Sequence, residues 1–252
     1  MTVKRIIPCL DVKEGKVVKG TNFVSLKDLG DPIKMAQAYS QAGADELVLL
    51  DIAATNEARK TKFKLIEQVK QVITIPLIVG GGIGSLTDLS EAFATGADKV
   101  SINSAAVNHP GLIDQSVAEF GSRRLIIAID AKKIDSKWHV MSHGGKKDTG
   151  LDAVQWASEV EKRGAGEILL TSMDRDGVKS GYDLELTKAI ADTVSIPVIA
   201  SGGVGSPDDF VDVFKKTGAA AGLAASIFHE GIFTIKEVKL RCQENGVKVR
   251  ET

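Results

Sequence analysis

An internal repeat constrains this chain more than any other feature. Ile75-Pro76-Leu77-Ile78 returns as Ile196-Pro197-Val198-Ile199, at an offset of 196 − 75 = 121. Gly81-Gly82-Ile83-Gly84-Ser85 returns as Gly202-Gly203-Val204-Gly205-Ser206, and Gly43-Ala44-Asp45-Glu46 as Gly164-Ala165-Gly166-Glu167, both in step with the first match. Ile6-Ile7 ahead of Asp11 resembles Ile126-Ile127 ahead of Asp130. Generic likeness between strand–helix units does not place glycines and glutamates in register, so the chain reads as two similar halves, about 1–122 and 123–252.

Each half carries four short β-rich runs alternating with longer amphipathic stretches. Strands are predicted at 5–10, 46–51, 77–79, 99–102, 125–130, 167–171, 198–200 and 221–224. Helices are predicted at 32–42, 60–72, 86–95, 111–120, 153–163, 183–193, 207–216 and 235–243. Eight strands each followed by a helix point to the α/β class, and eight is the number that closes a (β/α)8 TIM barrel. An open doubly wound sheet is the alternative. No linker divides the 252 residues, so one barrel domain is expected.

The 43% hydrophobic content suffices for one sizeable core, and the net charge of −1 provides no global field for nucleic acid or a membrane surface. Two cysteines, Cys9 and Cys242, offer neither metal spacing nor a disulfide framework. No apolar run reaches the roughly 18 residues of a membrane span, and no signal peptide is evident. These features lead to the expectation of a soluble cytoplasmic protein that must hold any anion through a local site.

Two such sites are indicated. Gly80-Gly81-Gly82-Ile83-Gly84 and Ser201-Gly202-Gly203-Val204-Gly205 each link a strand to a helix, where glycines allow close backbone approach and a helix N-terminus offers N–H groups to an oxyanion. Each has a companion after the next strand, Asn103-Ser104 and Ala224-Ala225-Ser226. A single loop of this kind could be only a tight turn. Two in register predict a phosphate at each end of an elongated substrate lying across one barrel mouth.

Strand alternation places Arg5, Ile7, Cys9 and Asp11 on one face, and Ile126, Ala128 and Asp130 on one face. If these faces point inward, Asp11 and Asp130 meet at the mouth, where one carboxylate can accept a proton while the other donates one. Loop capping, or pairing with Lys13, Lys19 or Lys132, is the structural alternative. Loop 12–29 carries Lys13, Lys16 and Lys19 and could close as a lid, and Thr171, Asp176 and Gly177 lie near the same rim. The four histidines form no ligand cluster, so no metal and no cofactor are expected.

The same parity puts Arg5, Glu46, Lys99 and Glu167 inside the opposite end, where barrels are normally packed with branched apolar side chains. Buried charges must pair, so these four should close into a ring. Such a ring serves either as a plug or as a gate for a small molecule.

Lys4-Arg5-Ile6-Ile7-Pro8-Cys9-Leu10-Asp11-Val12, the stretch Gly15 to Phe23, Gly96-Ala97-Asp98-Lys99-Val100-Ser101-Ile102-Asn103 and Asp174-Arg175-Asp176-Gly177 with Lys179-Ser180-Gly181-Tyr182-Asp183 resemble the cyclase-subunit family of the imidazole glycerol phosphate synthases of histidine biosynthesis. The resemblance spans nearly the whole chain. It implies a lyase that uses ammonia from a glutaminase partner docked on the barrel floor. The implied substrate is the bisphosphorylated phosphoribulosyl formimino form of aminoimidazole carboxamide ribotide. The implied products are imidazole glycerol phosphate and aminoimidazole carboxamide ribotide. Asp11 and Asp130 match the family's acid and base. Lys19, Asn103, Thr171 and Asp176 match site-lining residues, and the glycine loops with Ala224-Ala225-Ser226 match the phosphate cradles. Arg5, Glu46, Lys99 and Glu167 match the gate of an ammonia passage, which turns the reading from plug to gate. Pro8 and Ala220-Ala221 depart from the family pattern. A sister isomerase of the same pathway and a non-catalytic phosphate-binding scaffold are the competing readings.

Overall fold

The computed structural model describes residues 3–21, 24–52 and 63–251, with the side chains of 19–27 left undescribed. The first half runs β1 (Arg5–Lys13), β2 (Lys16–Thr21), β3 (Val24–Gly30), α1 (Pro32–Gln41), β4 (Leu47–Asp51), α2 (Phe63–Val72), β5 (Leu77–Gly80), α3 (Leu86–Ala94), β6 (Lys99–Ile102), α4 (Ser104–Asn108) and α5 (Gly111–Phe120). The second half runs β7 (Leu125–Ile134), β8 (Lys137–Ser142), β9 (Lys147–Asp152), α6 (Ala153–Lys162), β10 (Glu167–Ser172), α7 (Leu184–Ala191), β11 (Val198–Ser201), α8 (Pro207–Lys216), β12 (Ala221–Ala224), α9 (Ser226–His229) and α10 (Ile235–Glu244). Strands β1, β4, β5, β6, β7, β10, β11 and β12 pair in parallel and in that order, and β12 returns to β1, closing a (β/α)8 barrel.

Side-chain alternation separates two cores. Ile7, Cys9, Val48, Ile78, Ile126, Leu169, Ile199 and Leu223 fill the barrel interior. Their strand neighbours Ile6, Leu10, Leu47, Leu77, Ile127 and Leu170 pack outward under the helices. The helix starts repeat as well. Asp31 caps α1 by accepting from Ile33 N and Lys34 N, and Asp152 caps α6 by accepting from Val154 N and Gln155 N. Each cap of this type contributes about 1 kcal/mol.

The long basic loop expected after the first strand is instead an antiparallel extension, with β2 paired to β1 and β3 to β2. The second half carries the same device, β8 on β7 and β9 on β8, at a place where the sequence pattern indicated no strands. Both bends are two-residue turns with positive φ throughout, Glu14 (53°) with Gly15 (78°) and Asp135 (46°) with Ser136 (68°). Such turns match the twist of a hairpin. Three of these four residues are not glycine, which hides the signal. Pro8 leaves the register intact: β1 follows β12 through Pro8 and β4 from Cys9 onward.

At the floor, the buried Asp45 carboxylate accepts from Ile6 N (2.7 Å) and pairs with Lys239 of α10 (3.0 Å). This contact ties the last helix to the strands that carry Arg5 and Glu46. Among the described residues no helix is long and apolar enough to cross a membrane.

Candidate functional site

The C-terminal ends of the barrel strands open into a cavity of about 720 Å3. Asp11, Gly81, Gly82, Asn103, Asp130, Thr171, Asp176, Gly177, Gly202, Gly203, Ala224, Ala225 and Ser226 all line it. The predicted mouth residues are thus gathered in one place, except Gly205, which does not line the cavity, and Lys19, whose side chain lies outside the described residues. The cavity has further walls that the sequence reading did not assign: Asp51, Ser101, His143, Lys146 and Lys179. Asp51 was detectable, because it stands one repeat before Ser172 at the end of the matching strand. His143 and Lys146 were not, because the hairpin that carries them was not foreseen.

Strand pairing puts the two aspartates in equivalent positions. Asp11 lies opposite Leu50 of β4, and Asp130 opposite Thr171 of β10. Leu50 and Thr171 are 171 − 50 = 121 apart, in step with the repeat, whereas the aspartates are 130 − 11 = 119 apart. Hydrogen-bonded register, not sequence spacing, makes them counterparts.

Their surroundings differ. Asn103 Nδ2 donates to Asp130 Oδ2 (2.9 Å) and to the carbonyl of Met141 (3.2 Å), fixing the carboxylate from the side of β6. Burial pushes the Asp130 pKa up to about 6. The Asn103 hydrogen bond opposes that rise, while the nearby Asp176 and Asp11 charges add to it. Asp11 is buried, with Cys9 Sγ 3.5 Å from its Oδ1.

The glycine loops have matching shapes. A Cβ on Gly81 would lie 2.1 Å from the Asp51 carbonyl, and one on Gly202 would lie 2.7 Å from the Ser172 carbonyl; both residues have positive φ. The starts of the long helices that follow already carry a carboxylate each. Asp88 already accepts from Gly84 N (3.1 Å), and Asp209 from Gly205 N and Ser206 N (2.8 Å each). These helices carry their own anion. By contrast, among the described residues no N-cap side chain bonds the first turn of the short helices α4 and α9, which begin at Ser104 and Ser226. The open backbone N–H groups therefore lie at the companions of the glycine loops.

At the other end of the same interior the four expected charges form a closed ring. Arg5 pairs with Glu46 (3.0 Å) and Glu167, and Lys99 pairs with both glutamates (3.0 Å each). Arg5 and Lys99 retain 15% and 21% side-chain exposure, so the ring borders the outside. About 20 Å of strand, six residues from Arg5 to Asp11, separates floor from mouth. No group of three or more His, Cys, Asp or Glu among the described residues is placed to hold a metal.

Residues 5–234 match a family model described as histidine biosynthesis protein. A protein of Bacillus cereus strain G9842 named imidazole glycerol phosphate synthase subunit HisF is 57% identical over 251 residues, covering 99% of this chain and all of the relative. A protein of the same name from strain Q1 is 56% identical over the same coverage. A full-length match at this identity, on a barrel with this mouth and floor, places the chain in the histidine biosynthesis family, among the HisF subunits of imidazole glycerol phosphate synthase.

Proposed function

We propose that this chain is the cyclase subunit of an imidazole glycerol phosphate synthase. It acts as a lyase that combines ammonia with the phosphoribulosyl formimino substrate to give imidazole glycerol phosphate and aminoimidazole carboxamide ribotide. The observation that carries this reading is the placement of Asp11 and Asp130 at register-equivalent points between two duplicated anion cradles. A substrate with a phosphate at each end spans the mouth, one end at Gly81, Gly82, Asn103 and Ser104, the other at Gly202, Gly203, Ala225 and Ser226. Its reacting middle then lies over the two carboxylates.

Ammonia adds to the ribulosyl carbonyl, whose oxygen leaves as water, and attack of the new nitrogen on the formimino carbon closes the ring and expels the ribotide. Both stages need protons moved at the reacting centre. A carboxyl group with a pKa near 6 exchanges protons close to neutral pH, which suits Asp130 to general acid–base work. Asn103 holds that carboxylate in place, and Asp11 faces it as the second proton carrier. Thr171, Asp176 and Gly177 line the wall beside Asp130.

The floor ring acts as the gate through which ammonia enters from a glutaminase partner docked on the N-terminal face. Support comes from its position on the barrel axis opposite the mouth and from the partial exposure of Arg5 and Lys99. The deciding experiment is turnover of the formimino substrate with added ammonium salts, compared with glutamine plus the partner subunit. Ammonia-dependent loss of substrate with formation of imidazole glycerol phosphate is expected. Isomerisation without consumption of ammonia would overturn the reading.

A further inference from the structure

Resting on that reading, we propose that Lys146, at the tip of the β8–β9 hairpin, is a specificity-determining residue that grips the substrate phosphate seated on Gly82 and the start of α4.

The charges of the mouth pose the problem. Asp11, Asp51, Asp88, Asp130 and Asp176 line it, against the lysines Lys13, Lys146 and Lys179. A bisphosphate entering beside these carboxylates needs cations at the wall, so the use made of each described lysine matters. Lys179 is held by Glu230 (2.7 Å). Lys146 is exposed at the rim and, among the described residues, makes no ion pair.

The hairpin tip is fixed rather than loosely placed. His143 N donates to Ser104 Oγ (2.9 Å), joining the tip to the first residue of α4. That bond uses an acceptor site of Ser104 and leaves its hydroxyl proton to donate to a phosphate oxygen. On the other side, Gly145 sits against Met173 so closely that a Cβ there would lie 2.2 Å from the methionine Cε. The tip is therefore clamped between the loops after β6 and β10, with Lys146 immediately beyond the clamp. A lysine delivers its charge as a flexible point, which suits a terminal phosphate. It also gives the first-half cradle a cation; among the described residues the second half supplies Lys179, which Glu230 engages.

The experiment is steady-state kinetics on the full chain with ammonium salts and the bisphosphate substrate. Loss of one charge-assisted contact corresponds to about a tenfold change. Lys146→Met is expected to raise KM about tenfold with kcat within about twofold, and Lys146→Arg to restore KM. Lys147→Met is the internal control, since Lys147 is exposed on the same hairpin but does not line the cavity. In parallel, calorimetric titration with inorganic phosphate should show weaker binding to Lys146→Met than to the wild type. An unchanged KM and unchanged phosphate affinity in Lys146→Met, or an equal rise in KM in Lys147→Met, overturns the inference. Wild-type chain that binds phosphate through Lys146 yet fails to consume the substrate would overturn the proposed activity and leave the anion site standing.

Discussion

The two ends of this barrel solve the same electrostatic problem in opposite ways. At the floor, two positive and two negative side chains face one another and form four ion pairs that close on themselves. At the mouth, burial raises the Asp130 pKa to about 6, and the nearby Asp176 and Asp11 charges add to the rise. The floor spends its charges on each other. The mouth buries a carboxyl beside like charges, which makes the fold less stable and holds a proton near neutral pH. Apolar residues such as Cys9, Val48, Leu169 and Leu223 separate the two, so neither end neutralises the other.

The largest expected effect lies in the mouth. Asp11→Asn and Asp130→Asn should each lower ammonium-driven turnover by roughly a thousandfold or more, about 4 kcal/mol of barrier, with substrate binding retained. Direct binding measurements alongside kcat check this, and full activity in either variant removes that residue from the chemistry.

The floor comes next. Glu167→Gln removes one carboxylate from the ring and leaves Arg5 and Lys99 sharing Glu46. Breaking a buried pair from one side costs several kcal/mol, and the partial exposure of both cations reduces this to about 2 kcal/mol. Urea unfolding measures it. Because the mouth is untouched, ammonium-driven turnover should persist while glutamine-driven turnover falls. Equal loss of both would erase the proposed division between gate and site.

A smaller effect tests the mouth's cost to stability. Asp130 binds its proton more tightly in the folded state than in the unfolded chain, whose ordinary value is 3.8. Between that value and about 6 the folded state holds more protons, so this carboxyl lowers stability progressively as pH rises through the window. The penalty is complete above it. Asp130→Asn should therefore stabilise the protein by about 1–2 kcal/mol at pH 8, the cavity's water limiting the gain, and by almost nothing at pH 4. Thermal unfolding at both pH values reads this directly; an equal gain at both would mean that the carboxyl pays no such cost. The Lys146 substitutions affect the same mouth by a comparable or smaller margin, at its rim.

Much of this contrast was legible in the chain. The repeat and the alternation of strand and helix led to eight barrel strands, and simple parity put Arg5, Glu46, Lys99 and Glu167 at one end and the two aspartates at the other. Parity works here because a barrel strand has only an inner and an outer face. The β2–β3 and β8–β9 extensions were not legible. The apolar residues that they bury, Val17 with Val18 and Val140 with Met141, stand in adjacent pairs and lack the alternation that marks a strand, and their turns place Glu14, Asp135 and Ser136 in a backbone region that glycine usually signals. The anion cradles were half legible. The glycines marked the loops, but Asp88 and Asp209 were read only as helix residues, although they fill the helix starts that a phosphate was expected to use.

The sequence by itself determined the class of fold, the duplication and the inward face of each strand, because these follow from local periodicity and repeated spacing. Only the tertiary structure decided which atoms act together. The aspartates are two residues out of step in the repeat, and the pairing of β1 with β4 and of β7 with β10 brings them level. The proton affinity of Asp130 depends first on its burial and then on Asn103, Asp176 and Asp11, which lie on three other strands or loops. Lys146 reaches the mouth through a hydrogen bond from His143 to Ser104, 39 residues away in the chain. Contacts of that length are set by how the barrel closes, and no local pattern records them.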